Sequence, residues 1–479
     1  MNTFISQRVP TFTPEQERIF NVVIEAVEKN DSLLAFIDAR GGCGKTYLLN
    51  TILSAVRKME SGSTALAMAT TGIAATLLDL GRTFHSRMKA ELNPSEESFL
   101  SITHQSHLAE LIRTSKLLMI DEATMLDRYH FEAMDRTLRD ITGKMDKPFG
   151  GKIVILAGDF RQCLPVVKGA TRAQIVNRCI NKSHLWGQFK IMKLTENMRV
   201  RASGDHLLEQ FDQWTLGIGN GESEKIQIPP NMLATRIISN TKNNRNSEGQ
   251  SMEQFCQIIF PDLNKNINNL NWLDGRAILA TTNKEVKVIN DLIISWLPGK
   301  ELKFYSADYL ENTDDVLRFN EEYLNSLTPK GFPPHVLTLK KGMPLMLIRN
   351  LNPRIGLCNG TRLFFDKMHT NKMLQCSVVG SDIKVFIPRI TFLPQKNEFP
   401  FSWTRRQFPV KPSFAMTINK SQGQTLKYCG IWLRSEIFTH GQLYVASSRN
   451  GNPSSLKFAV PMKNLNQVNN IVYKEVLRS

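Results

Sequence analysis

The most informative stretch of this chain is Phe36-Ile37-Asp38-Ala39-Arg40-Gly41-Gly42-Cys43-Gly44-Lys45-Thr46. An apolar run that begins at Leu33 enters it like a buried strand, and residues 47–53 leave it with helical spacing. A strand, a glycine-rich turn ending in Gly-Lys-Thr and a helix form a phosphate-binding P-loop, whose backbone N–H groups lie at the positive end of the helix dipole. Lys45 is predicted to reach the β- and γ-phosphates, and Thr46 to hold Mg²⁺.

Two positions of the loop carry further expectations. Ala39 stands where such loops usually have their first glycine, so a strained turn would weaken nucleotide binding. Cys43 precedes a helix N-terminus, where the pKa of a thiol tends to fall. We therefore expect alkylation of Cys43 to inhibit nucleotide hydrolysis. The alternative is that Cys43 is simply a small residue that fits the loop.

Composition indicates a globular protein of several domains that meets a polyanion. The chain has 479 residues, a net charge of +16 and 42% hydrophobic residues, and about three domains are expected for this length. Residues 401–479 carry 11 Lys and Arg against 2 Asp and Glu. Such a surface favours nucleic acid first and an anionic membrane second, although a charge excess can also serve solubility alone. No apolar run approaches ~18 residues, so no membrane span is expected.

Two later strands end in polar residues that suit nucleotide hydrolysis. Residues 117–120 read as a buried strand followed by Asp121 and Glu122, which are predicted to hold Mg²⁺ and to polarise the attacking water. Residues 153–158 form another such strand, and Gln162 just beyond it can contact the γ-phosphate. Because these strands and residues 64–77 alternate with helical segments, the sequence predicts a parallel α/β sheet.

The second half of the chain begins another parallel sheet and then changes character. Residues 276–283 read as a strand ending in hydroxyl and amide groups, with a helix at about 284–297. Short strands and turns over 300–400 suggest a small inserted β-barrel. Residues 240–251 are polar and read as a loop. The segments 417–425 and 442–449 are a glycine turn rich in polar groups and a helix with Arg449 near its end.

In this order, the motifs resemble the Pif-type (petite integration frequency) superfamily-one DNA helicases, which are related to RecD-like helicases. The resemblance covers about residues 11 to 475, and residues 322–327, 333–339 and 346–363 are most similar to helicase domains of helitron-type transposons. The residues that carry it are 39–46, 69–75 with 81–86, 120–123, 158–162, 197–199, 417–425 and 442–449.

The resemblance implies an α/β protein with two RecA-like domains, ATP and Mg²⁺ in the cleft between them, and an inserted SH3-like β domain. It implies 5′→3′ movement on single-stranded DNA, unwinding of duplex DNA, and a role in replication, repair, recombination or telomere maintenance. The implied catalytic residues are Lys45, Glu122, Gln162, Arg199 and Arg449. The implied ATP contacts are Gln16, Gly41, Gly42, Cys43, Gly44, Lys45, Thr46, Gln162, Arg199, Gln424 and Arg449. Thr46 and Asp121 would hold Mg²⁺, and Thr71, His85, Thr281, Asn283 and Ser421 would line the DNA channel.

We expect four segments from these motifs: 1–200 as the first RecA-like domain, 201–304 and 401–479 as the two parts of the second, and 305–400 as the insert. The expected partners are single-stranded DNA, tailed duplex DNA and replication or repair proteins. We expect a monomer that does not bind membranes. The seven cysteines form no CxxC pair, which favours a reducing nuclear or cytoplasmic compartment. Host, viral and transposon origins stay open.

Two other functions remain open from the sequence. The protein could bind DNA with ATP as a conformational ligand, although Glu122 and the two arginines disfavour this. It could instead be a clamp-loader-like ATPase that acts on proteins, against which Gln162 and residues 421–423 argue. RNA as the tracking strand is also open.

Overall fold

The computed structural model describes residues 2–59, 64–239, 246–311, 319–370, 372–378, 383–394 and 398–477. The strands in these ranges are β1 (Leu34–Ala39), β2 (Ala65–Ala69), β3 (Arg82–Thr83), β4 (Leu117–Asp121), β5 (Ile153–Gly158), β6 (Lys190–Leu194), β7 (Lys225–Gln227), β8 (Leu233–Ile237), β9 (Arg276–Ala280), β10 (Leu302–Tyr305), β11 (Ala307–Leu310), β12 (Val336–Leu339), β13 (Pro344–Leu347), β14 (Arg362–Thr370), β15 (Met373–Val378), β16 (Lys384–Pro388), β17 (Ile390–Phe392), β18 (Trp403–Gln407), β19 (Val410–Pro412), β20 (Ala415–Thr417), β21 (Tyr428–Trp432), β22 (Leu456–Pro461) and β23 (Gln467–Asn469).

The helices of the same ranges are α1 (Asn2–Arg8), α2 (Pro14–Lys29), α3 (Lys45–Met59), α4 (Gly72–Leu77), α5 (Phe84–Met88), α6 (His107–Thr114), α7 (Arg128–Thr142), α8 (Arg172–Asn177), α9 (Met198–Ser203), α10 (His206–Asn220), α11 (Ser247–Ile259), α12 (Leu263–Asn266), α13 (Leu270–Leu273), α14 (Asn283–Trp296), α15 (Glu321–Ser326), α16 (Gln442–Ser448) and α17 (Lys474–Leu477). No helix among the described residues is long and apolar enough to cross a membrane.

The first unit is a six-stranded parallel sheet in the order β3-β2-β4-β5-β1-β6. Alternating residues of β1 face opposite layers because side chains of a strand alternate between its two faces. Ala35 and Ile37 pack under α2 and α3, whereas Phe36 packs with α7 on the other face. Both faces are apolar, as expected for a parallel sheet covered by helices. The predicted α/β class is therefore confirmed.

The second unit is a five-stranded parallel sheet in the order β20-β9-β21-β22-β8. One face packs on α11 and α14, and the other packs on α10 and α16. The predicted helix at about 284–297 is present as α14. The predicted loop over 240–251 is wrong at its end, because α11 starts at Ser247; residues 240–245 lie outside the described residues.

Antiparallel strands interrupt the second sheet between β9 and β20. They form sheets in the orders β16-β15-β14-β13-β19, β11-β18-β17 and β10-β12. This antiparallel part runs from Leu302 to Pro412, wider than the 305–400 expected, because β18 and β19 return to pair with β11 and β13.

The end of the described chain returns to the first unit. Tyr473 and Val476 join the apolar cluster on the α7 face of the first sheet. Arg172 Nη2 donates to Glu475 at 2.8 Å, and Asn181 Nδ2 donates to the carbonyl of Val476 at 2.9 Å. Residues 471–477 thus pack on the first unit, although they were expected to belong to the second.

Candidate nucleotide site and interdomain cleft

The P-loop connects β1 to α3 through Gly42 and Gly44, which no larger residue can replace without disturbance. Gly42 and Gly44 have φ of +92° and +74°, in the region that favours glycine. A Cβ on Gly42 would lie 2.6 Å from Asn197 Oδ1, and one on Gly44 would lie 2.5 Å from Gln16 Nε2. Ala39 is the last residue of β1 and has no positive φ, so it belongs to the strand rather than to the turn.

Lys45 lies at the first position of α3 and points to the end of β4. Its Nζ donates to Asp121 Oδ1 and, at 3.1 Å, to Glu122 Oε1. Burial works against the charged ammonium, but the charges of Asp121 and Glu122 outweigh it and raise the pKa of Lys45. Glu122 has φ of +52°, its Oε1 accepts from Lys45, and its Oε2 is buried without a hydrogen-bond partner in the described part of the chain. The three predicted charges therefore meet at one point.

The predicted metal residues have the chemistry that Mg²⁺ requires. Magnesium is bound by one or two carboxylates together with substrate phosphates and hydroxyl oxygens. Asp121 supplies a carboxylate at the end of β4, and Thr46 supplies a hydroxyl in the first turn of α3. These residues fit the ion.

Gln16 is buried against the P-loop. Thr13 caps α2, and Gln16 Oε1 accepts from Thr13 N at 3.1 Å in a capping box. Gln16 Nε2 donates to the carbonyl of Cys43 at 3.1 Å. In this structure the amide therefore supports the backbone of the loop, and its adenine contact stays a prediction.

The expectation of a reactive thiol at Cys43 is wrong. Cys43 is 1% exposed and lies in the apolar cluster between β1 and α3. Burial raises the pKa of the thiol to about 11, although the charge of Arg40 acts in the opposite direction. A helix N-terminus does not lower the pKa of a thiol that points into the core.

The segment that follows β5 contacts the second unit through side chains that sequence reasoning missed. Tyr444 donates to Asp159 Oδ2 at 2.7 Å, and both residues are buried. His440 Nδ1 accepts from Tyr473 N at 2.7 Å, so its Nε2 carries the proton and donates to the carbonyl of Phe160 at 2.8 Å. Tyr444 lies in the recognised stretch 442–449 and His440 lies just before it, but nothing in their spacing identified a partner some 280 positions away.

A glycine completes this contact. Gly441 has φ of +69°, and a Cβ there would lie 2.3 Å from the carbonyl oxygen of Arg161 and 2.8 Å from the carbonyl of Gln162. Gln162 is buried, and its Oε1 has no hydrogen-bond partner among the described residues. The backbone of the predicted phosphate-sensing residue thus lies directly against the segment that begins α16.

Arg449 follows α16 and is held by uncharged groups. Its Nε donates to the carbonyl of Val445 at 3.0 Å, and its Nη1 donates to the carbonyls of Ser421 and Gln424 at 3.4 and 3.2 Å. Its Nη2 donates to the hydroxyl of Ser448 at 2.9 Å. Gln424 therefore meets this arginine through its backbone. In the described ranges no carboxylate forms an ion pair with Arg449, so a buried cation is kept at the cleft.

The two predicted arginines approach the cleft from opposite units. Burial lowers the pKa of Arg449, and the charge of Glu122 in the first unit acts against that shift. Arg199 is exposed in α9, whose first turn is capped by Asn197. A Cβ on Gly451 would lie 2.7 Å from Arg199 Nη1, so this side chain already touches the second unit.

Three of the predicted DNA-contacting residues lie at helix starts near the surface. The hydroxyl of Thr71 accepts from Ala74 N at 3.2 Å and caps α4. The His85 ring lies 4.8 Å from that of His130, and burial together with this neighbour lowers the pKa of His85. Asn283 is exposed at the first position of α14.

The other two predicted DNA contacts are buried. The hydroxyl of Thr281 donates to Glu285 Oε2 at 3.0 Å, and that of Ser421 donates to the carbonyl of Ile418 at 2.7 Å. Neither hydroxyl is available to a strand in this conformation. Ser421 instead holds Arg449 through its carbonyl.

Comparisons with known proteins agree with this arrangement. Residues 11–228 match the family model of the PIF1-like helicases, and residues 322–366 match the 2B domain of DNA helicase Pif1. The ATP-dependent DNA helicase PIF1 of Xenopus laevis is 26% identical over 92% of this chain and 60% of its own length. The ATP-dependent DNA helicase RRM3 of Saccharomyces cerevisiae is 25% identical over 91% of this chain and 63% of its own length. The chain thus spans about three fifths of these relatives.

Solved structures show the same fold. Pif1 helicase from Candida albicans has a TM-score of 0.66 at 21% identity, covering 97% of this chain and 98% of that one. Pif1 helicase from Bacteroides in complex with ADP-AlF3 and ssDNA has a TM-score of 0.65 at 21% identity, covering 97% and 94%. The predicted RecA-like parallel-sheet core is confirmed by this likeness.

Proposed function

This chain belongs to the PIF1-like helicase family, and we propose that it is an ATP-dependent DNA helicase that moves 5′→3′ on single-stranded DNA and unwinds duplex DNA. One observation carries the proposal. Lys45, Asp121 and Glu122 meet on the first unit, while the buried Arg449 of the second unit faces them and forms no ion pair with a carboxylate of the described residues. A phosphate anion between the units would give the cations Lys45 and Arg449 a shared partner, and Mg²⁺ would balance the carboxylate of Asp121.

Nucleotide binding replaces the carboxylate partners of Lys45 with phosphates. In the free protein Lys45 is held by Asp121 and Glu122, and the phosphates of ATP would take it over. Glu122 is then free to accept a proton from the attacking water. The acceptor is its Oε2, which has no hydrogen-bond partner among the described residues. Thr46 and Asp121 would hold Mg²⁺, which neutralises charge on the phosphates.

Hydrolysis then changes the contact between the units. The γ-phosphate gives Arg199 and Arg449 a shared partner, as a planar arginine is suited to do. Gln162 couples binding of the γ-phosphate to the position of α16, because Gly441 packs directly on the backbone of Gln162. Loss of the γ-phosphate removes that partner and lets the cleft open.

We also propose the division of the chain into a first RecA-like domain at 1–200, a second at 201–304 and 401–479, and an SH3-like insert. The two parallel sheets and the match of residues 322–366 to the 2B domain support it. The antiparallel strands support an insert that extends to Pro412. The packing of residues 471–477 supports a C-terminal segment that belongs to the first domain. Seven buried, unpaired cysteines support a reducing nuclear or cytoplasmic compartment.

Strand displacement tests the proposal. Purified protein should unwind a duplex with a 5′ single-stranded tail in the presence of ATP and Mg²⁺, and should leave a 3′-tailed duplex intact. Lys45→Ala should abolish DNA-stimulated ATP hydrolysis while DNA binding remains. Unwinding of the 3′-tailed duplex alone would overturn the polarity, and full ATPase activity in Lys45→Ala would overturn the site. Binding of DNA without turnover would favour the conformational-ligand function instead.

A further inference from the structure

The P-loop forms an ion pair with a helix that packs on the second unit. Arg40 Nη1 lies 2.7 Å from Asp212 Oδ2, and only 17% and 19% of these two side chains are exposed. Arg40 also donates from Nε and Nη2 to the carbonyl of Thr195, at 3.2 and 2.9 Å, which fixes the plane of its guanidinium. Asp212 lies in α10, whose Phe211 and Ile218 belong to the apolar cluster of the second sheet. The pair therefore connects the phosphate-binding loop of one unit to a helix packed on the other.

The same carboxylate holds the residue that caps α9. Asp212 Oδ1 accepts from Asn197 Nδ2 at 2.7 Å. The oxygen of that amide, Asn197 Oδ1, accepts from Arg199 N at 3.0 Å and caps the helix. A rotation of the amide would exchange its oxygen and nitrogen, but an ionised carboxylate accepts only from the nitrogen. Asp212 therefore keeps the oxygen of Asn197 turned toward the backbone of Arg199.

The start of α9 also contacts the P-loop. Met198 N donates to the carbonyl of Gly42 at 3.0 Å. A Cβ on Gly42 would lie 2.6 Å from Asn197 Oδ1, so the loop and the capping side chain are closely packed. The position of α9 relative to the loop is thus set by Asn197, and the side chain of Asn197 is set by Asp212.

Arg199 and the ion pair line one cavity at the cleft. The walls of this cavity include Arg40 and Gly41 of the P-loop, Arg199, Asp212 and, from the second unit, Asn450. Arg199 is exposed, and its guanidinium forms no ion pair with a carboxylate of the described residues. A long side chain without a partner rotates freely, so the place it can reach depends on the backbone that carries it. The backbone at Arg199 is the part that the Asn197 cap holds.

We infer that Asp212 is a positioning residue for ATP hydrolysis. Through Asn197 it holds the helix start that carries Arg199, and through Arg40 it keeps α10 beside the P-loop. This inference rests on the proposed function, in which Arg199 contacts the γ-phosphate. An arginine that stabilises the transferring phosphate acts mainly in the transition state, so its displacement lowers kcat more than it changes KM.

DNA-stimulated ATP hydrolysis by the full chain tests the inference. Asp212→Ala is compared with Glu209→Ala, a matched control that removes an exposed carboxylate from the same helix. Alanine has the highest helix propensity, so both variants keep α10. Asp212→Ala should lower kcat roughly 10-fold while KM for ATP changes by less than about 3-fold. Glu209→Ala should change neither.

A double variant distinguishes positioning from a general loss of structure. Radiolabelled ATP makes the low rate of Arg199→Ala measurable. Asp212→Ala added to Arg199→Ala should lower kcat no further, because the arginine that it positions is already absent. A fall by the same factor with and without Arg199 would show a purely structural role and overturn the inference.

The outcomes also separate this inference from the proposed function. If the unmodified protein hydrolyses no ATP in the presence of DNA, the proposed function fails and the inference fails with it. If it hydrolyses ATP and Asp212→Ala has the kcat of Glu209→Ala, the inference alone is overturned. If the melting temperature shows that Asp212→Ala does not fold, Asp212→Asn takes its place in both comparisons, because it keeps the size of the side chain and removes the charge that pairs with Arg40.

Discussion

Gly441→Ala should separate the two units without changing any residue of the P-loop. Gly441 precedes α16, the helix that ends at Arg449, and has φ of +69°. An added methyl group would lie 2.3 Å from the carbonyl oxygen of Arg161 and 2.8 Å from that of Gln162. These are backbone atoms of the first unit, so no rotation of a side chain can relieve the overlap.

The expected cost has two parts that act on different equilibria. A non-glycine residue in the left-handed region costs about 1 to 2 kcal/mol of folding stability. Overlap in a packed contact costs about 1 to 3 kcal/mol more, and here it applies only when the units touch. At about 1.4 kcal/mol per factor of ten, the second part reduces the population of the closed cleft roughly 5- to 150-fold.

Gly143→Ala is the matched control, because Gly143 also has φ of +69° but has nothing within 4 Å of its Cβ position. DNA-stimulated ATP hydrolysis of Gly441→Ala should fall roughly 5- to 150-fold below that of Gly143→Ala, with a similar melting temperature. The distance between fluorophores on the two units should increase in Gly441→Ala alone. Equal ATPase activity and equal distances in the two variants would refute the idea that this contact closes the cleft.

Three further predictions concern charged and titrating groups. Burial raises the pKa of Asp121, and the charge of Lys45 acts against that shift. Lys45→Met removes this charge, so melting temperatures should show that the variant loses stability relative to the unmodified protein as pH rises from about 5 to about 8. Burial lowers the pKa of His440 to about 4, so on acidification this histidine takes up a proton in the unfolded chain before it does so in the folded protein. The free energy of unfolding should therefore be unaffected by His440 above about pH 6.5 and should fall by about 3 kcal/mol as the pH falls to about 4. Thermal denaturation of His440→Gln should not show this fall. Burial raises the pKa of Cys43 to about 11, so iodoacetamide should label it far more slowly in the folded than in the unfolded protein, and fast labelling by mass spectrometry would contradict the buried geometry.

The local elements followed from the sequence because their causes are local. The P-loop needs glycines and Gly-Lys-Thr in a short stretch, and the apolar residues before Asp121 mark a buried strand by composition alone. Such signals predicted the α/β class, the charged residues Lys45, Asp121 and Glu122 of the first unit, and the approximate position of α16.

The sequence could not show where a polar side chain points when its partner lies far along the chain. Thr281 and Ser421 looked like strand-binding hydroxyls, but the fold buries both against nearby acceptors. Cys43 looked activated by a helix end, but the packing of α3 on β1 turns it into the core.

What the tertiary structure adds is the contact between the units. Tyr444 meets Asp159, and Gly441 meets Gln162, across separations of about 280 residues along the chain. A motif of a few residues is enough to predict a phosphate-binding loop, because the loop is formed by the backbone of those residues. The partner of a buried hydroxyl or an unpaired cation is fixed only when separate sheets pack, because hydrogen bonds and desolvation depend on distances in space.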